Sequence, residues 1–205
     1  MSNAQVLTQT AIAWTHAPAQ EVTDRDLIAN IAAGDRLAMR TLYARHNVRV
    51  YRFVLRLIGD EARAEEIVSE VFFDVWQQAG RFEGRSQVST WILAIARFKT
   101  ISVLRRQKEE ALDDDTAEGL ADLADNPEVV LTKKDTGALL RKCLMSLSPE
   151  HREIIDLVYY HEKSVDEVAK IVGVPRNTVK TRMFYARKRI SELFAQAGGE
   201  RVYHA

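Results

Sequence analysis

The residue types best suited to chemistry in this 205-residue chain are concentrated near its carboxyl end. Between Val168 and Ser191 the sequence carries seven basic residues and no acidic one, although the whole chain balances 29 basic against 29 acidic side chains. Lys, Asn, Thr and aromatic side chains alternate there with apolar ones. Such polar side chains can meet base edges in the major groove of DNA while Arg and Lys meet phosphates. The stretch predicts DNA binding, although on charge alone a solvated helix face is the commoner interpretation.

Two predicted helices position this basic stretch. Residues 164–167 read Ser-Val-Asp-Glu, the pattern of a capping box that begins a helix, and Gly173 can end that helix. A longer helix should run from Pro175 or its neighbours to about Ala197. This layout is a helix-turn-helix. The apolar stripe that packs on the domain comprises Val179, Met183, Ala186, Ile190 and Leu193, and the opposite stripe comprises Asn177, Lys180, Thr181, Phe184, Tyr185 and Lys188.

Catalytic chemistry has no comparable support in the sequence. The five histidines are scattered without metal-ligand spacing, and no glycine-rich phosphate loop occurs. Cys143 is the only cysteine, which excludes an internal disulfide and a thiolate cluster and favours a reducing cytoplasm. Residues 1–20 lack the basic and apolar regions of a signal peptide. We therefore predict no enzyme, no metal, no cofactor and no membrane insertion.

Apolar periodicity predicts an all-α protein with two small helical domains joined by a flexible acidic linker. We expect a flexible arm at residues 1–23, a four-helix domain at 24–108, the linker at 109–127, the helix-turn-helix domain at 128–197 and a tail at 198–205. Nine acids and no base fall between Glu109 and Glu128, so the linker should extend and leave the domains weakly coupled.

Caps and glycines predict the ends of the helices in the first domain. Asp24 should begin the first helix and Gly34 end it, and Gly59 should end the second. Asp60 should cap the third. The fourth should run from Trp91, a core anchor, to about Arg106.

Three motifs resemble those of extracytoplasmic-function sigma factors, members of the sigma-70 family. Residues 64–76, AEEIVSEVFFDVW, and residues 89–97, STWILAIAR, resemble conserved region 2 of that family. Residues 178–183, TVKTRM, followed by Ala186-Arg187, resemble its region 4. The likeness covers Asp24 to Arg106 and about Thr136 to Ala195. It implies a factor that recruits core RNA polymerase to promoter DNA.

The resemblance also implies three contact surfaces. The first would grip the beta-prime coiled coil of the polymerase and comprises Glu66, Ser69, Glu70, Phe73 and Trp76. The second would open the minus-ten element and comprises the loop residues Arg85, Ser86, Gln87 and Ser89 with a basic helix edge of Arg97, Lys99, Arg105 and Arg106. The third would read the minus-thirty-five element and comprises Arg176, Asn177, Thr178, Lys180, Thr181, Arg182, Phe184, Tyr185 and Lys188.

Two positions depart from the family pattern. Phe98 stands where the family often has Asn, and Ser102 stands where it often has Asp, so the family's rules for reading upstream minus-ten bases do not carry over. The resemblance further implies restraint by an anti-sigma factor and a role in a stress or envelope-signal response. The alternative is a non-sigma helix-turn-helix regulator whose first domain senses a ligand or dimerises. Such a regulator would bind duplex DNA alone, whereas a sigma factor should need core polymerase.

Overall fold

The computed structural model describes residues 22–113, 139–140 and 142–196, and these residues form helices and turns with no strand. The helices include α1 (Asp24–Ala32), α2 (Arg36–Ile58), α3 (Glu61–Gln78), α4 (Val88–Asp113), α5 (Pro149–Ile155), α6 (Val165–Val172) and α7 (Arg176–Gln196). A 3₁₀ turn, Ala79–Arg81, follows α3, and a wider π turn, Asp156–Tyr160, follows α5. The predicted all-α class is confirmed. Within the described residues, no helix has the length and apolar character needed to span a membrane.

The helices of the first domain begin at polar caps. Thr23 caps α1 and forms a capping box with Asp26, so the predicted cap, Asp24, is instead the first helical residue. The side chain of Asp35 accepts hydrogen bonds from the amides of Leu37 and Ala38 at 2.7 and 3.1 Å, which satisfies free amides at the start of α2. Gly59 ends α2 with a φ of 75°, a left-handed conformation that favours glycine.

The fourth helix is longer than the sequence suggests. It begins at Val88 rather than Trp91 and continues to Asp113, beyond the predicted end at about Arg106. Residues 109–113, assigned to the flexible linker, are therefore helical, and Arg105 supports the extension through an ion pair of 3.6 Å with Glu109 one turn later. The rest of the predicted linker, the arm at 1–21 and the tail lie outside the described residues. The helix expected from about Pro127 is described only in part, and its residues 139–140 and 142–145 are helical.

The core of the first domain is built from one apolar side of each helix. Leu42 and Phe53 of α2, Val71 of α3 and Ile92 of α4 are completely buried. Burial of a side chain of this kind contributes about 1.5–3 kcal/mol relative to exposure. Since these contacts use one face of α3, its other face remains available for partners.

Local capping also shapes the second domain. Ser164 accepts a hydrogen bond from the amide of Glu167 at 3.3 Å, and the Glu167 carboxylate accepts one from the Ser164 amide at 3.0 Å, which confirms the predicted capping box. Gly173 then ends α6 with a φ of 73°. The short α6, this glycine turn and the longer α7 form the predicted helix-turn-helix.

Apolar side chains of the second domain continue the core of the first. Ile154, Leu157 and Val168 belong to the same buried cluster as Phe53 and Ile92, and α6 packs against α4. The sequence predicts weakly coupled domains, whereas the described parts of the two domains are in contact. The charge of the linker gives no information about this contact, which depends on faces of α4, α5 and α6.

Candidate polymerase and nucleic-acid interfaces

One side of α3 presents the residues predicted to contact polymerase. Glu66, Ser69, Glu70 and Phe73 are exposed, while Trp76 is half-buried against the core. Their three- and four-residue spacing places them along one side of the helix. Phe73 is 59% exposed, so an apolar residue bordered by carboxylates faces solvent. Such a strip suits a helical partner with basic flanks.

The side chain of Lys99 on α4 contacts carboxylates of α3, so it is not free to bind a phosphate. Its Nζ lies 3.2 Å from Glu70 Oε2 and 3.1 Å from Asp74 Oδ2. Burial acts to lower the pKa of Lys99, but the hydrogen bonds and charges of Asp74 and Glu70 outweigh it and raise that pKa above its ordinary value. The ammonium group therefore stays charged, and a DNA phosphate would have to compete with two carboxylates for it.

The predicted minus-ten loop borders an open cleft of about 540 Å³. Its walls comprise Asp24, Arg25, Phe82, Gly84, Arg85, Ser86, Gln87, Val88 and Ser89. Arg25 of α1 donates a hydrogen bond to the carbonyl oxygen of Gly84 at 2.9 Å, and a Cβ at position 84 would displace the Arg25 guanidinium. Position 84 also has a φ of 70°, which favours glycine, so this residue allows the contact between α1 and the loop. Donors and acceptors of the loop thus surround a space open to a base.

The basic residues of α4 do not form the single edge that the sequence predicts. Arg97 and Lys99 are two residues apart, so their side chains leave opposite sides of the helix. Lys99 faces α3, and Arg97 faces the second domain. Arg105 and Arg106 are exposed near the far end of α4. Trp91 is half-buried with its ring centroid 5.1 Å from that of Phe82, which agrees with its predicted role as a core anchor.

The guanidinium group of Arg97 pairs with the carboxylate of Glu153 on α5. The Glu153 side chain is 3% exposed and that of Arg97 is 25% exposed, so the pair is largely shielded from water. Burial raises the pKa of Glu153, and the hydrogen bond and charge of Arg97 offset only part of that effect. The side chain predicted to bind a phosphate is therefore occupied by an anion of the same chain.

A second group of polar contacts joins the start of α4 to α6. Thr90 donates to Glu167 Oε1 at 2.7 Å, and Lys163 donates both to Ser89 at 2.7 Å and to Glu167 at 3.2 Å. Burial acts to raise the pKa of Glu167, but the hydrogen bonds from Thr90 and Ser164 and the charge of Lys163 bring it down to about 2. Lys170 also donates to the carbonyl oxygen of Arg85 at 3.3 Å. The second domain thus touches both the loop and the helix of the predicted minus-ten surface.

A third cross-domain contact involves residues that the sequence did not single out as functional. Arg56 of α2 pairs with the buried Asp156, and its guanidinium lies 4.5 Å from the ring centroid of Tyr160. His161 Nε2 lies 3.2 Å from the other oxygen of Asp156. Arginine in a helix and aspartate in a turn are ordinary surface residues by type. Only the packing of α2 on the second domain reveals that they meet.

The α7 helix presents the predicted recognition residues to solvent. Val179 and Ala186 are buried, while Asn177, Lys180, Thr181 and the aromatic pair Phe184 and Tyr185 are exposed. Of the remaining members, Arg176 and Lys188 are exposed and Thr178 and Arg182 are half-buried.

Charge on this face is mostly free for a partner. No ion pair within the described residues holds Lys180 or Lys188, whereas Arg176 pairs with Asp166 at 2.6 Å. Phe184 and Tyr185 are 61% and 53% exposed, and their rings lie edge to face with centroids 5.5 Å apart. Unpaired cations beside exposed aromatic rings suit base edges and phosphates of duplex DNA. This fold and these surfaces define a two-domain helical protein with a helix-turn-helix built for nucleic acid.

Comparisons with known proteins identify the family. The model of Sigma-70 region 2 matches residues 42–110, and the model of Sigma-70, region 4 matches residues 138–190. The ECF RNA polymerase sigma factor SigL of Mycobacterium tuberculosis is 30% identical over 160 residues, which are 78% of this chain and 90% of that protein. The ECF RNA polymerase sigma factor SigW of Bacillus subtilis is 28% identical over 177 residues, which are 82% of this chain and 95% of that protein.

A solved structure agrees with these relatives. The sigma factor RpoE of Bartonella quintana, crystallised with the anti-sigma factor NepR, is 26% identical with a TM-score of 0.63, over 76% of this chain and 96% of that chain. The chain belongs to the extracytoplasmic-function family of RNA polymerase sigma factors. It is a sigma factor that directs transcription initiation, and the match to region 2 removes the support for a non-sigma regulator.

Proposed function

We propose that this sigma factor uses three separate faces for three partners. The α3 strip of Glu66, Ser69, Glu70, Phe73 and Trp76 binds the coiled coil of the beta-prime subunit. The cleft beside residues 84–90 receives a base of the minus-ten element. The exposed side of α7 reads the minus-thirty-five element.

The observation that carries this proposal is the division of α7 into a buried and an exposed side. Val179 and Ala186 fix the helix to its domain, so Lys180, Thr181 and Tyr185 project together from it. An exposed polar and aromatic face on the second helix of a helix-turn-helix is the arrangement that enters a major groove. The two unpaired lysines then serve different purposes, since Lys180 lies near the start of α7 and Lys188 lies two turns later.

The cleft supports the minus-ten assignment on energetic grounds. Taking one base out of the stack costs a few kcal/mol, and stacking on an aromatic ring returns about 1–3 kcal/mol. Phe82 offers a ring in the wall of the cleft, and Ser86 and Gln87 offer hydrogen-bonding groups beside it. A base held this way is recognised by its edge and its face together.

Control by an anti-sigma factor is the third part of the proposal. RpoE of Bartonella quintana was solved with an anti-sigma factor, and this chain covers 96% of that sigma factor. We propose that a comparable protein restrains this chain in the cytoplasm until a stress or envelope signal releases it. The sigma factor itself performs no catalysis and contributes only binding and positioning.

Run-off transcription with core RNA polymerase on genomic promoter fragments tests the proposal. Wild-type protein should direct specific transcripts only with core present. The double variant Lys180→Ala/Tyr185→Ala should lose transcripts that depend on a minus-thirty-five element, whereas the matched control Arg189→Ala, on the same helix, should retain them. The proposal would be refuted if the protein bound duplex DNA tightly and sequence-specifically without core polymerase and directed no transcript when core polymerase was present.

A further inference from the structure

The most exposed large apolar side chain in the described residues lies on α4. Phe98 is 72% exposed, and its two neighbours in the sequence leave the helix on either side of it. Arg97 turns towards Glu153 of the second domain, and Lys99 turns towards the carboxylates of α3. A single exposed apolar residue is ordinary by itself. The position of Phe98 on α4 and the groups around it therefore decide whether its ring has a partner.

Phe98 continues a line of residues that begins at the cleft proposed for the minus-ten base. Steps of three, four and seven residues place four side chains along one side of α4, namely Trp91, Ala94, Phe98 and Arg105. The ring centroid of Trp91 lies 5.1 Å from that of Phe82, which forms part of the cleft wall. This side of α4 thus leads from the cleft to Phe98.

The distance from the cleft to Phe98 suits a strand of nucleic acid. Ten residues separate Phe98 from Val88, where α4 begins, which corresponds to about 15 Å along the helix axis. One strand of DNA covers this length in about four nucleotides when its bases are stacked, at about 3.4 Å each, and in fewer when it is extended. A strand that leaves the cleft along α4 therefore brings another base to the Phe98 ring.

The groups beside Phe98 offer a base a flat surface and not a hydrogen-bonding edge. Ala94, one turn before Phe98, has no polar side-chain atom. Ser102, one turn after it, donates its hydroxyl to the carbonyl oxygen of Phe98 at 2.8 Å, so that proton is already bound to the helix backbone. An aromatic ring in such surroundings holds a base by stacking, which tolerates any base because every base has a π-face.

The charges near Phe98 distinguish it from the exposed ring of α3. Carboxylates border Phe73, and they oppose the approach of a polyanion. Arg105 and Arg106 are exposed two turns beyond Phe98, and the ion pair of Arg105 with Glu109 is exposed on both sides and therefore weak. A strand stacked on Phe98 can thus place its phosphates near two cations, which favours nucleic acid over a second protein as the partner.

We propose that Phe98 is a second stacking surface for the single-stranded minus-ten element, beside the cleft. The cleft holds one base by its edge and its face, and Phe98 holds another base by its face alone. The inference rests on the proposed function in one respect, the assignment of the cleft to minus-ten DNA. Because stacking depends on the area of the rings, this factor should prefer purines over pyrimidines at the Phe98 position without requiring one particular base.

The test uses holoenzyme assembled from the full chain and core polymerase, on a promoter that gives a run-off transcript. Mismatches keep the minus-ten region of the DNA fragment open, and an abasic site replaces each nucleotide of this region in turn. The affinity of holoenzyme for each fragment is measured, and a second series places each of the four bases at the position assigned to Phe98.

Wild-type holoenzyme should lose affinity when the abasic site lies at the cleft position and when it lies at a further position, that of Phe98. Phe98→Ala should bind the intact fragment about fivefold or more weakly, as expected for the loss of one stacked base. It should also become insensitive to the abasic site at the second position alone. The preference for purines there should disappear with the ring.

Three further variants separate stacking from other effects. Phe98→Trp keeps an aromatic face and should keep wild-type affinity and sensitivity. Phe98→Leu keeps an apolar side chain without the ring and should resemble Phe98→Ala. Leu37→Ala, the matched control, removes a side chain of α2 that is 68% exposed and should leave both measurements unchanged. Because residue 98 faces solvent, all of its variants should fold, which circular dichroism verifies.

Three results would overturn the inference. They are the same sensitivity to abasic sites in wild type and Phe98→Ala, wild-type affinity and sensitivity in Phe98→Leu, and a loss of core polymerase binding by Phe98→Ala without DNA that accounts for its weaker binding to the fragment. The last result would assign Phe98 to a protein partner. Absence of run-off transcripts with wild-type protein would refute the proposed function instead.

Discussion

At the scale of single residues, the exposed carboxylates of α3 differ in how strongly their own domain holds them. Glu66 is exposed with no ion pair in the described residues, whereas Glu70 lies 3.2 Å from Lys99. Both carboxylates belong to the strip proposed to bind polymerase. Substitutions at these two positions can therefore distinguish loss of a contact with polymerase from loss of a contact within the fold.

Glu66→Lys and Glu70→Lys should both weaken association with core polymerase, because each places a cation where the partner's basic flanks approach. Glu66→Lys should change the free energy of unfolding by less than about 0.5 kcal/mol, as exposed substitutions usually do. Glu70→Lys should also lower the midpoint of thermal unfolding, since it brings two cations together at Lys99. Co-purification with core and thermal melts measure the two effects.

Glu162→Lys serves as the control, since it reverses an exposed charge outside α3. Wild-type recovery of core by Glu66→Lys would remove this carboxylate from the polymerase surface. An unchanged melting midpoint for Glu70→Lys would show that the ion pair with Lys99 contributes nothing measurable to stability.

Lys180 and Lys188 should have different roles on α7. Lys180, near the start of the helix, can donate to guanine O6 or N7, so Lys180→Ala should cost about 1–3 kcal/mol at the cognate element and relax its sequence preference. Lys188 lies further along and should contact a phosphate, so Lys188→Ala should weaken all promoters similarly and flatten the salt dependence. Selection from randomised minus-thirty-five libraries compares them. If Lys188→Ala changes the selected bases and Lys180→Ala does not, the roles are reversed.

At the scale of elements, the capping box of α6 joins helix stability to the domain contact. Ser164→Ala removes a cap, which usually costs about 1 kcal/mol, and it also removes the hydroxyl hydrogen bond to the Glu167 carboxylate that Thr90 contacts. We expect a lower free energy of unfolding in urea, compared with a change within about 0.5 kcal/mol for Ser146→Ala at an exposed position. Equal stability of the two variants would contradict a structural role for the box.

The same elements show what the sequence can predict. Ser164, Gly173 and Gly59 act on residues next to them, so their patterns predicted both ends of α6 and the end of α2 correctly. The exposed side of α7 followed from helical spacing for the same reason. Arg97 was assigned to a phosphate because its charge is visible in the sequence, but its distance from Glu153 depends on how α4 meets α5. No local pattern carries that information.

At the scale of the whole molecule, charge balance conceals strong segregation. Carboxylates of the second domain meet cations and hydroxyls of the first at Arg56, Thr90 and Arg97, while the free cations of α7 face solvent. The balance of 29 basic and 29 acidic side chains is therefore compatible with a nucleic-acid-binding protein. Because carboxylates of the second domain take part in the contact between the domains, that contact should be sensitive to their protonation.

Glu167 and Glu153 should affect stability in opposite directions as pH changes. The pKa of Glu167 is lowered from 4.5 to about 2, so its contribution is fully present above about pH 4.5 and is lost as pH falls towards 2. The stability difference between wild type and Glu167→Gln should shrink over that range, by at most about 1.4 kcal/mol per pH unit for one proton.

Burial raises the pKa of Glu153, so wild type should lose stability relative to Glu153→Gln as pH rises from below 4.5 through that raised value. Urea unfolding followed by circular dichroism between pH 2.5 and 7, with Glu162→Gln as the control, measures both trends. Parallel curves for wild type and Glu167→Gln would show that this carboxylate does not link protonation to the contact between the domains.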